Sequence, residues 1–154
     1  MKLTDALLGE HAMLYETFDH LRAAAAGGAV GDIRAAMPVL ERLLVAHARI
    51  EEELLFPSLE PRLGPMGPLA VMRAEHGELD ELLRSAKTTD DPAGLQAIVG
   101  RLLDLAVNHF RKEEKVLFHM AERVLDRDTL ARLGDQWAER RGVTLAPGGC
   151  MSAA

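Results

Sequence analysis

The stretch HARIEEELLF, residues 47–56, places a histidine and three glutamates inside an otherwise apolar helical pattern. A second stretch, NHFRKEEKVLF at residues 108–118, repeats the same layout of a histidine, a glutamate four residues later and an apolar run. Residues four apart lie on the same face of an α-helix, so each histidine shares a face with its glutamate. The repetition indicates that the same chemistry occurs twice in one fold.

Apolar residues recur along the chain with the period of 3.6 residues that is typical of α-helices, and no segment alternates with period two for long enough to form a strand. The pattern predicts an all-α protein with four long helices at about 4–27, 32–58, 68–87 and 92–124 and a shorter fifth helix at about 129–141. Because the links are short, successive helices should lie antiparallel, which predicts an up-down-up-down four-helix bundle. We expect one domain over residues 1–142 and a flexible C-terminal tail at 143–154.

Each of the four long helices carries one histidine in its apolar stripe, namely His11, His47, His76 and His109. Gly28 marks the first turn; it lies 17 residues after His11 and 19 before His47, so a rise of ~1.5 Å per residue brings these two rings to the same level. The second pair converges if the linker TTDD, residues 88–91, is extended at ~3.3 Å per residue. We therefore expect the four imidazoles in one layer of the bundle.

Glu51 and Glu113, four residues after His47 and His109, add two carboxylates to this layer. A buried ionised carboxylate is costly unless a positive charge compensates it, and the apolar stripes contain no lysine or arginine. Imidazole nitrogens and carboxylate oxygens are ligands of first-row metals, and the absence of thiolates argues against a structural zinc cage. Six ligands are too many for one tetrahedral ion, so the sequence predicts two metal ions.

Other readings of the polar residues follow from their positions. A single histidine in an apolar stripe is more often a hydrogen-bonded core residue than a ligand, but four at one level favour metal binding. Glu52, Glu53 and Glu114 are expected on solvated faces, although Glu52 and Glu114 compete for the bridging role. His20 and His119 fall away from the ligand faces and are expected outside the site.

Composition limits the partners and the location. The net charge of −6 comes from 24 acidic and 18 basic residues without a basic cluster, and aromatic residues make up 4%, so we expect no nucleic-acid partner. The start, MKLTDALLGEHAML, lacks the apolar segment of a signal peptide, and no apolar run approaches the ~18 residues of a membrane span. We expect a cytoplasmic protein with no membrane partner; the sequence leaves the oligomeric state open. Cys150, the single cysteine, is expected to be a solvated thiol in the tail.

Six residues in a fixed order carry a resemblance to a known family: His11, His47-x-x-x-Glu51, His76 and His109-x-x-x-Glu113. This order resembles the H-HxxxE-H-HxxxE signature of hemerythrin-like (HHE cation-binding) domains, and the flanking segments EEELLFP and KEEKVLFHM are similar to that family too. The resemblance covers about residues 4–124. It implies a four-helix bundle with a non-haem di-iron centre, in which the histidines are terminal ligands, the two glutamates bridge the irons, and an oxide or hydroxide is a further bridge.

The sequence departs from the oxygen-carrying hemerythrins on the third helix. Those carriers have a second histidine four residues after the first, and Asp80 occupies that position here, as Tyr15 does after His11. Each side chain is a candidate further ligand or a hydrogen-bond partner of a ligand; the alternatives are a solvated acid for Asp80 and core packing for Tyr15. The departure argues against reversible oxygen carriage.

Members of the family bind or respond to dioxygen, nitric oxide or peroxide, or handle iron. The resemblance therefore implies a di-iron protein that binds, senses or turns over such an oxidant, with azide as a further small ligand. The alternative is an iron storage or donation protein, for example one that supports iron–sulfur repair. A bundle without metal, in which the polar layer only fixes helix register, is disfavoured by the four histidines. The sequence does not decide whether the protein is an enzyme.

Overall fold

The structure is a computed structural model that describes residues 1–144. Its helices are α1 (Leu3–Ala26), α2 (Val30–Ile50), α3 (Phe56–Leu63), α4 (Pro68–Thr88), α5 (Pro92–Lys112), α6 (Phe118–Val124) and α7 (Arg127–Arg141). The described residues contain no strand, so the prediction of an all-α protein is confirmed. The predicted flexible tail at 143–154, with Cys150, lies outside the described residues apart from Val143 and Thr144. None of the helices described is both long and apolar enough to cross a bilayer.

The helix boundaries follow from local capping signals. Asp91 accepts backbone hydrogen bonds as the N-cap of α5, and Pro92 occupies the first helical position, where its missing N–H costs nothing. Asp126 caps α7 by accepting from the Thr129 N–H at 2.7 Å, which begins this helix slightly before the predicted position. Gly142 ends α7 at a φ of 65°, a conformation that favours glycine.

Two π-helical turns interrupt the long helices, one beginning four residues after His47 and the other four residues after His109. Glu51–Leu55 joins α2 to α3, and Glu113–Leu117 joins α5 to α6. The N–H of Phe56 bonds to the carbonyl of Glu51 five residues earlier, which is the spacing of a π-helix. The wider turn shifts the buried face by one residue. Val116, which lies seven residues after His109 and would share its face in a regular α-helix, is therefore 50% exposed, whereas Leu117 is buried.

The apolar core consists of two clusters, separated along each long helix by the region of its histidine. In α1 the residues before His11 belong to the first cluster, which contains Leu7, and those after it belong to the second, which contains Phe18. In α2 the order is reversed, with Leu40 of the second cluster before the histidine and Ile50 of the first after it. The order reverses again in α4 and once more in α5. The histidine layer thus lies between two apolar clusters, where few waters can reach it.

Helix α7 packs against α1 and the chain start at unusually close range. A Cβ atom added at Gly134 would lie 2.2 Å from the carbonyl oxygen of Met1, so only glycine permits this approach. Leu130 and Leu133 are buried beside it. The short fifth helix predicted from the sequence is thus a docked element of the fold.

Candidate metal centre

The four predicted histidines meet as two pairs in the interior. The Nε2 atoms of His11 and His47 lie 3.1 Å apart, and those of His76 and His109 also lie 3.1 Å apart. Three of the four side chains are 1–2% exposed, and His76 is 8% exposed. The predicted layer therefore exists, and its imidazole nitrogens converge on two points.

Glu51 and Glu113 lie between the two histidine pairs. The Glu113 carboxylate is 2.9 Å from Nε2 of His109 through one oxygen and 3.2 Å from Nε2 of His11 through the other. Glu51 lies 3.3 Å from Nε2 of His76 and 3.6 Å from Nε2 of His47. Each carboxylate thus reaches one histidine of each pair.

The two carboxylates are fully buried without hydrogen-bond partners. Both Glu51 and Glu113 are 0% exposed, and none of their four oxygens has a hydrogen-bond partner among the described residues. Imidazole Nε2 atoms lie 2.9–3.6 Å from these carboxylates without forming a hydrogen bond to them. Buried polar atoms are nearly always paired, so this cluster calls for a partner of positive charge. The residues present therefore fit a cation.

The donors form two overlapping sets whose ligand atoms lie within 4.8 Å of one another: one set is Glu51, His76, His109 and Glu113, and the other is His11, His47 and Glu113. Glu113 belongs to both sets. Imidazole nitrogen combined with carboxylate oxygen, without thiolate, suits first-row ions such as iron rather than a structural zinc cage. Each of the two donor sets could hold a metal ion.

A second layer of carboxylates contacts the Nδ1 atom of each of these four histidines. The Nδ1 contacts are His11 to Glu114 at 2.9 Å, His47 to Glu10 at 2.8 Å, His76 to Glu52 at 3.0 Å and His109 to Glu75 at 2.9 Å. A carboxylate at Nδ1 favours the tautomer with its proton there, which leaves the Nε2 lone pair free for a metal. All four imidazoles are therefore oriented with Nε2 toward the centre.

The prediction that Glu52 and Glu114 lie on solvated faces is wrong. Both are only partly exposed and accept hydrogen bonds from imidazoles, because the π turns bring residues five after a histidine toward the ligand face. They also do not reach the place between the two histidine pairs, where Glu51 and Glu113 lie. Glu53 points outward as expected and pairs with Arg140.

Glu10 and Glu75 were not predicted from the sequence, although a signal for them exists. Each directly precedes a histidine, so the dipeptide Glu-His occurs at 10–11 and again at 75–76. Each glutamate serves the histidine of the neighbouring helix rather than the one beside it in sequence. The repeated dipeptide in two matching helices is a pattern from which these contacts could have been predicted.

The remaining polar residues lie at positions that agree with the alternatives in which they do not bind a metal. The Tyr15 hydroxyl donates to Glu114 at 3.1 Å; burial and this hydrogen bond raise the pKa of Tyr15 to about 12. Tyr15 is therefore a hydrogen-bond partner one step removed from His11. Asp80 is exposed, in agreement with the reading as a solvated acid. His20 and His119 are also exposed, which confirms that they lie outside the site.

The electrostatics of the metal-free centre show how it balances its buried charge. Burial and the neighbouring Glu113 raise the pKa of Glu51 above its ordinary value. Burial acts in the same direction on Glu113, but the close imidazoles of His109 and His11 outweigh it and lower the pKa of Glu113. Burial would lower the pKa of His76, yet contact with Glu51 raises it to about 9. The buried carboxylates raise the pKa of His47 and His109 as well, so they favour the protonated form of these three imidazoles in the metal-free centre.

Comparison with protein families agrees with this geometry. A family model described as the hemerythrin HHE cation binding domain matches residues 2–121. The chain belongs to this hemerythrin family. The matched range contains all six predicted site residues and ends before α7. The resemblance inferred from the order of histidines and glutamates is therefore confirmed.

Several curated relatives of this hemerythrin-like chain are described as iron-sulfur cluster repair protein YtfE. The protein from Enterobacter sp. (strain 638) is 33% identical over 98 residues, which cover 55% of this chain and 44% of the relative. The protein from Escherichia coli (strain K12 / DH10B) is 31% identical over 98 residues, with the same coverage of both chains. The aligned part thus spans less than half the length of these relatives. No solved structure matches the chain significantly.

Proposed function

We propose that the protein is a non-haem di-iron protein that binds, senses or turns over a small oxidant. The proposed ligands are His11, His47, Glu51, His76, His109 and Glu113, with the glutamates as bridges between two irons. The observation that carries the proposal is the set of four buried carboxylate oxygens that have no hydrogen-bond partner within residues 1–144 and are enclosed by two histidine pairs. Iron in this position supplies redox chemistry and coordination sites for a small ligand.

The proposal includes the up-down-up-down arrangement of the four long helices as a bundle. Its support is the order of the two apolar clusters, which reverses from each long helix to the next. It also includes a single domain over residues 1–142 that contains the whole site. The cytoplasmic location stays a prediction from the sequence.

Ligand counting supports the binding of a small molecule. Four terminal imidazoles and two bridging carboxylates supply about eight bonds, an oxide or hydroxide bridge raises this to about ten, and two six-coordinate irons require about twelve. Neither Tyr15 nor Asp80 fills the difference, because Tyr15 is bonded to Glu114 and Asp80 is exposed. About two positions are thus left for dioxygen, peroxide or nitric oxide.

The deciding experiment is metal analysis of anaerobically purified protein, followed by stopped-flow mixing with dioxygen, peroxide and nitric oxide. A stable spectral adduct supports binding or sensing, and repeated consumption of the oxidant supports an enzyme. Iron that shows no spectral response to any of the three reagents contradicts the proposal.

A second candidate function is iron storage or donation, for example in support of iron–sulfur repair. Two observations favour it: the description of the relatives as iron-sulfur cluster repair proteins, and the position of His76, which is nearer to solvent than the other three histidines. The test is transfer of iron from the loaded protein to an apo iron–sulfur protein, compared with the same amount of free ferrous iron. Transfer no faster than from free iron under equal conditions contradicts this function.

A further inference from the structure

Helix α7 lies outside the family-matched residues, yet it reaches the metal centre through one carboxylate. One oxygen of Glu10 accepts from Nδ1 of His47 at 2.8 Å. The other oxygen accepts from Nε1 of Trp137 at 2.7 Å and from Nε of Arg141 at 2.6 Å. Arg141 also donates to the carbonyl of Ala46 at 2.9 Å, directly before His47 in sequence. Two side chains of α7 therefore donate hydrogen bonds to Glu10, which in turn accepts one from His47.

We propose that α7 is a positioning element for the His11/His47 half of the centre, and that Arg141 and Trp137 set how firmly a metal is held there. This inference rests on the proposed di-iron function. The described contacts assign neither residue to the metal itself. Both act through Glu10 and are positioning residues.

The geometry of a carboxylate explains how the effect is transmitted. Its two oxygens are fixed relative to each other, so donors that hold one oxygen also set the direction of the other. Trp137 and Arg141 hold one oxygen of Glu10, and the other oxygen faces Nδ1 of His47. A carboxylate fixed in this way orients the imidazole that it contacts. Helix α7 thus fixes the direction of the group that orients His47.

The other half of the centre has no support from a separate docked helix among the described contacts. Glu75 accepts from Nδ1 of His109 at 2.9 Å, and its other oxygen accepts from Lys112, a 46%-exposed side chain of α5, the helix of His109. Glu52 faces Nδ1 of His76, and its other oxygen accepts at 3.3 Å from Arg73 of α4, the helix of His76. Partly solvated side chains on the histidines' own helices constrain a carboxylate less than two donors from a separate docked helix. The two metal positions should therefore differ, and the metal at the His11/His47 position should be released more slowly.

The close docking of α7 makes it suitable for this role. Gly134 allows backbone contact with Met1, and Leu133 and Ala138 are buried on the same helix. Trp137 and Arg141 follow Gly134 at the spacing of about one and two helical turns. The contact at Gly134 therefore anchors the segment from which both donors extend toward Glu10.

The test compares Arg141→Met and Trp137→Phe with Arg140→Met as the matched control. Arg140 adjoins Arg141 but pairs with Glu53 at the surface, so its loss removes the same charge without touching Glu10. The diferrous protein is mixed anaerobically with excess ferrozine, and iron release is followed in time. We expect two phases in the parent. Arg141→Met should accelerate the slow phase about tenfold, within the range for loss of a contact that orients a ligand, and leave the fast phase unchanged.

Trp137→Phe should accelerate the same phase by a smaller factor, because the ring stays and only the N–H donor is lost. Equal release from Arg141→Met and Arg140→Met overturns the inference. Equal acceleration of both phases also overturns it, because it indicates general destabilisation.

A measurement on metal-free protein separates this inference from the proposed function. Hydrogen exchange at the His47 Nδ1–H, followed by ¹⁵N NMR, should be at least about threefold faster in Arg141→Met than in Arg140→Met, because loss of a hydrogen bond to a charged group weakens the contact. No difference in exchange overturns the positioning role of α7. A parent protein that takes up no iron instead contradicts the proposed function, while the exchange measurement still decides whether α7 positions His47.

Discussion

Nε2 of His76 lies 3.3 Å from the carboxylate of Glu51, closer than the 3.6 Å between Glu51 and Nε2 of His47, four residues earlier in the chain. Glu113 shows the reciprocal relationship, because it reaches His11 at 3.2 Å as well as its own neighbour His109. Each half of the fold therefore contributes a carboxylate to the other half. A metal bound in one half would therefore depend on residues from both halves.

The first prediction concerns metal content. Glu113→Ala should reduce iron to less than one ion per chain, because Glu113 belongs to both ligand sets. His20→Ala, which replaces an exposed histidine of the same helix as His11, should retain about two irons as the parent does. Elemental analysis after anaerobic purification measures both. Equal iron loss in the two variants would contradict the assignment of ligand faces.

The second prediction concerns stability without metal. Chelation removes the positive charge near Glu51 and Glu113, whose oxygens have no other hydrogen-bond partners among the described residues. A ligand at 1,000 times its Kd stabilises the folded state by about 4 kcal/mol, so metal removal should lower the Tm by about 5 °C or more. Thermal melts followed by circular dichroism, with and without iron, give the comparison. Identical Tm values for the two forms would show that metal binding and folding are uncoupled.

The third prediction concerns Tyr15. Its hydroxyl donates to Glu114 rather than to a metal position, so the oxidised protein should show no phenolate-to-iron band, and Tyr15→Phe should leave the visible spectrum unchanged. Glu114→Gln should instead weaken iron retention about 10-fold or more, because Glu114 orients His11. Visible spectra and chelator competition measure the two effects. A band that disappears in Tyr15→Phe would assign Tyr15 to the metal.

The fourth prediction compares two glycines in helices. Gly134→Ala places a methyl group against the backbone of Met1 and should destabilise the protein by about 1–3 kcal/mol through overpacking. Gly100→Ala, in α5 with no atom within 4 Å of the added Cβ, should stabilise it by about 0.5–1 kcal/mol through helix propensity. Urea unfolding of the metal-free proteins measures both. The same sign for both variants would contradict the close docking of α7.

The sequence was sufficient to predict the helices and the meeting of four histidines with two glutamates. Apolar periodicity and turn residues are local signals, and one histidine per long helix at matching distances from the turns leaves one common level. The buried positions of Glu51 and Glu113 follow from the four-residue spacing, whereas the spacing left Glu52 and Glu114 open as competitors for the bridging role.

The π turns could not be predicted in the same way. A π turn replaces local hydrogen bonds because tertiary contacts compensate, and a single sequence carries no period for it. The prediction that Glu52 and Glu114 lie on solvated faces failed because regular helical spacing omits the extra residue of each π turn. The contacts of α7 with Glu10 were missed for another reason, since they join residues more than a hundred positions apart.

The last prediction concerns access of a small anion to the oxidised centre. In the proposed di-iron centre, with Tyr15 bonded to Glu114 and Asp80 exposed, about two of twelve coordination positions would be free for an added ligand. Azide should therefore produce a new near-ultraviolet or visible charge-transfer band. Asp80→Ala should keep both irons and give the same band with the same azide dependence, because an exposed side chain leaves the centre unchanged. Titration with azide, followed by absorption and paired with iron analysis, tests both statements.

Full iron content without a band in either protein would show that the centre is coordinatively closed, and would favour iron donation over oxidant binding. A band that appears only in Asp80→Ala would show that Asp80 occupies one of the positions in the oxidised protein.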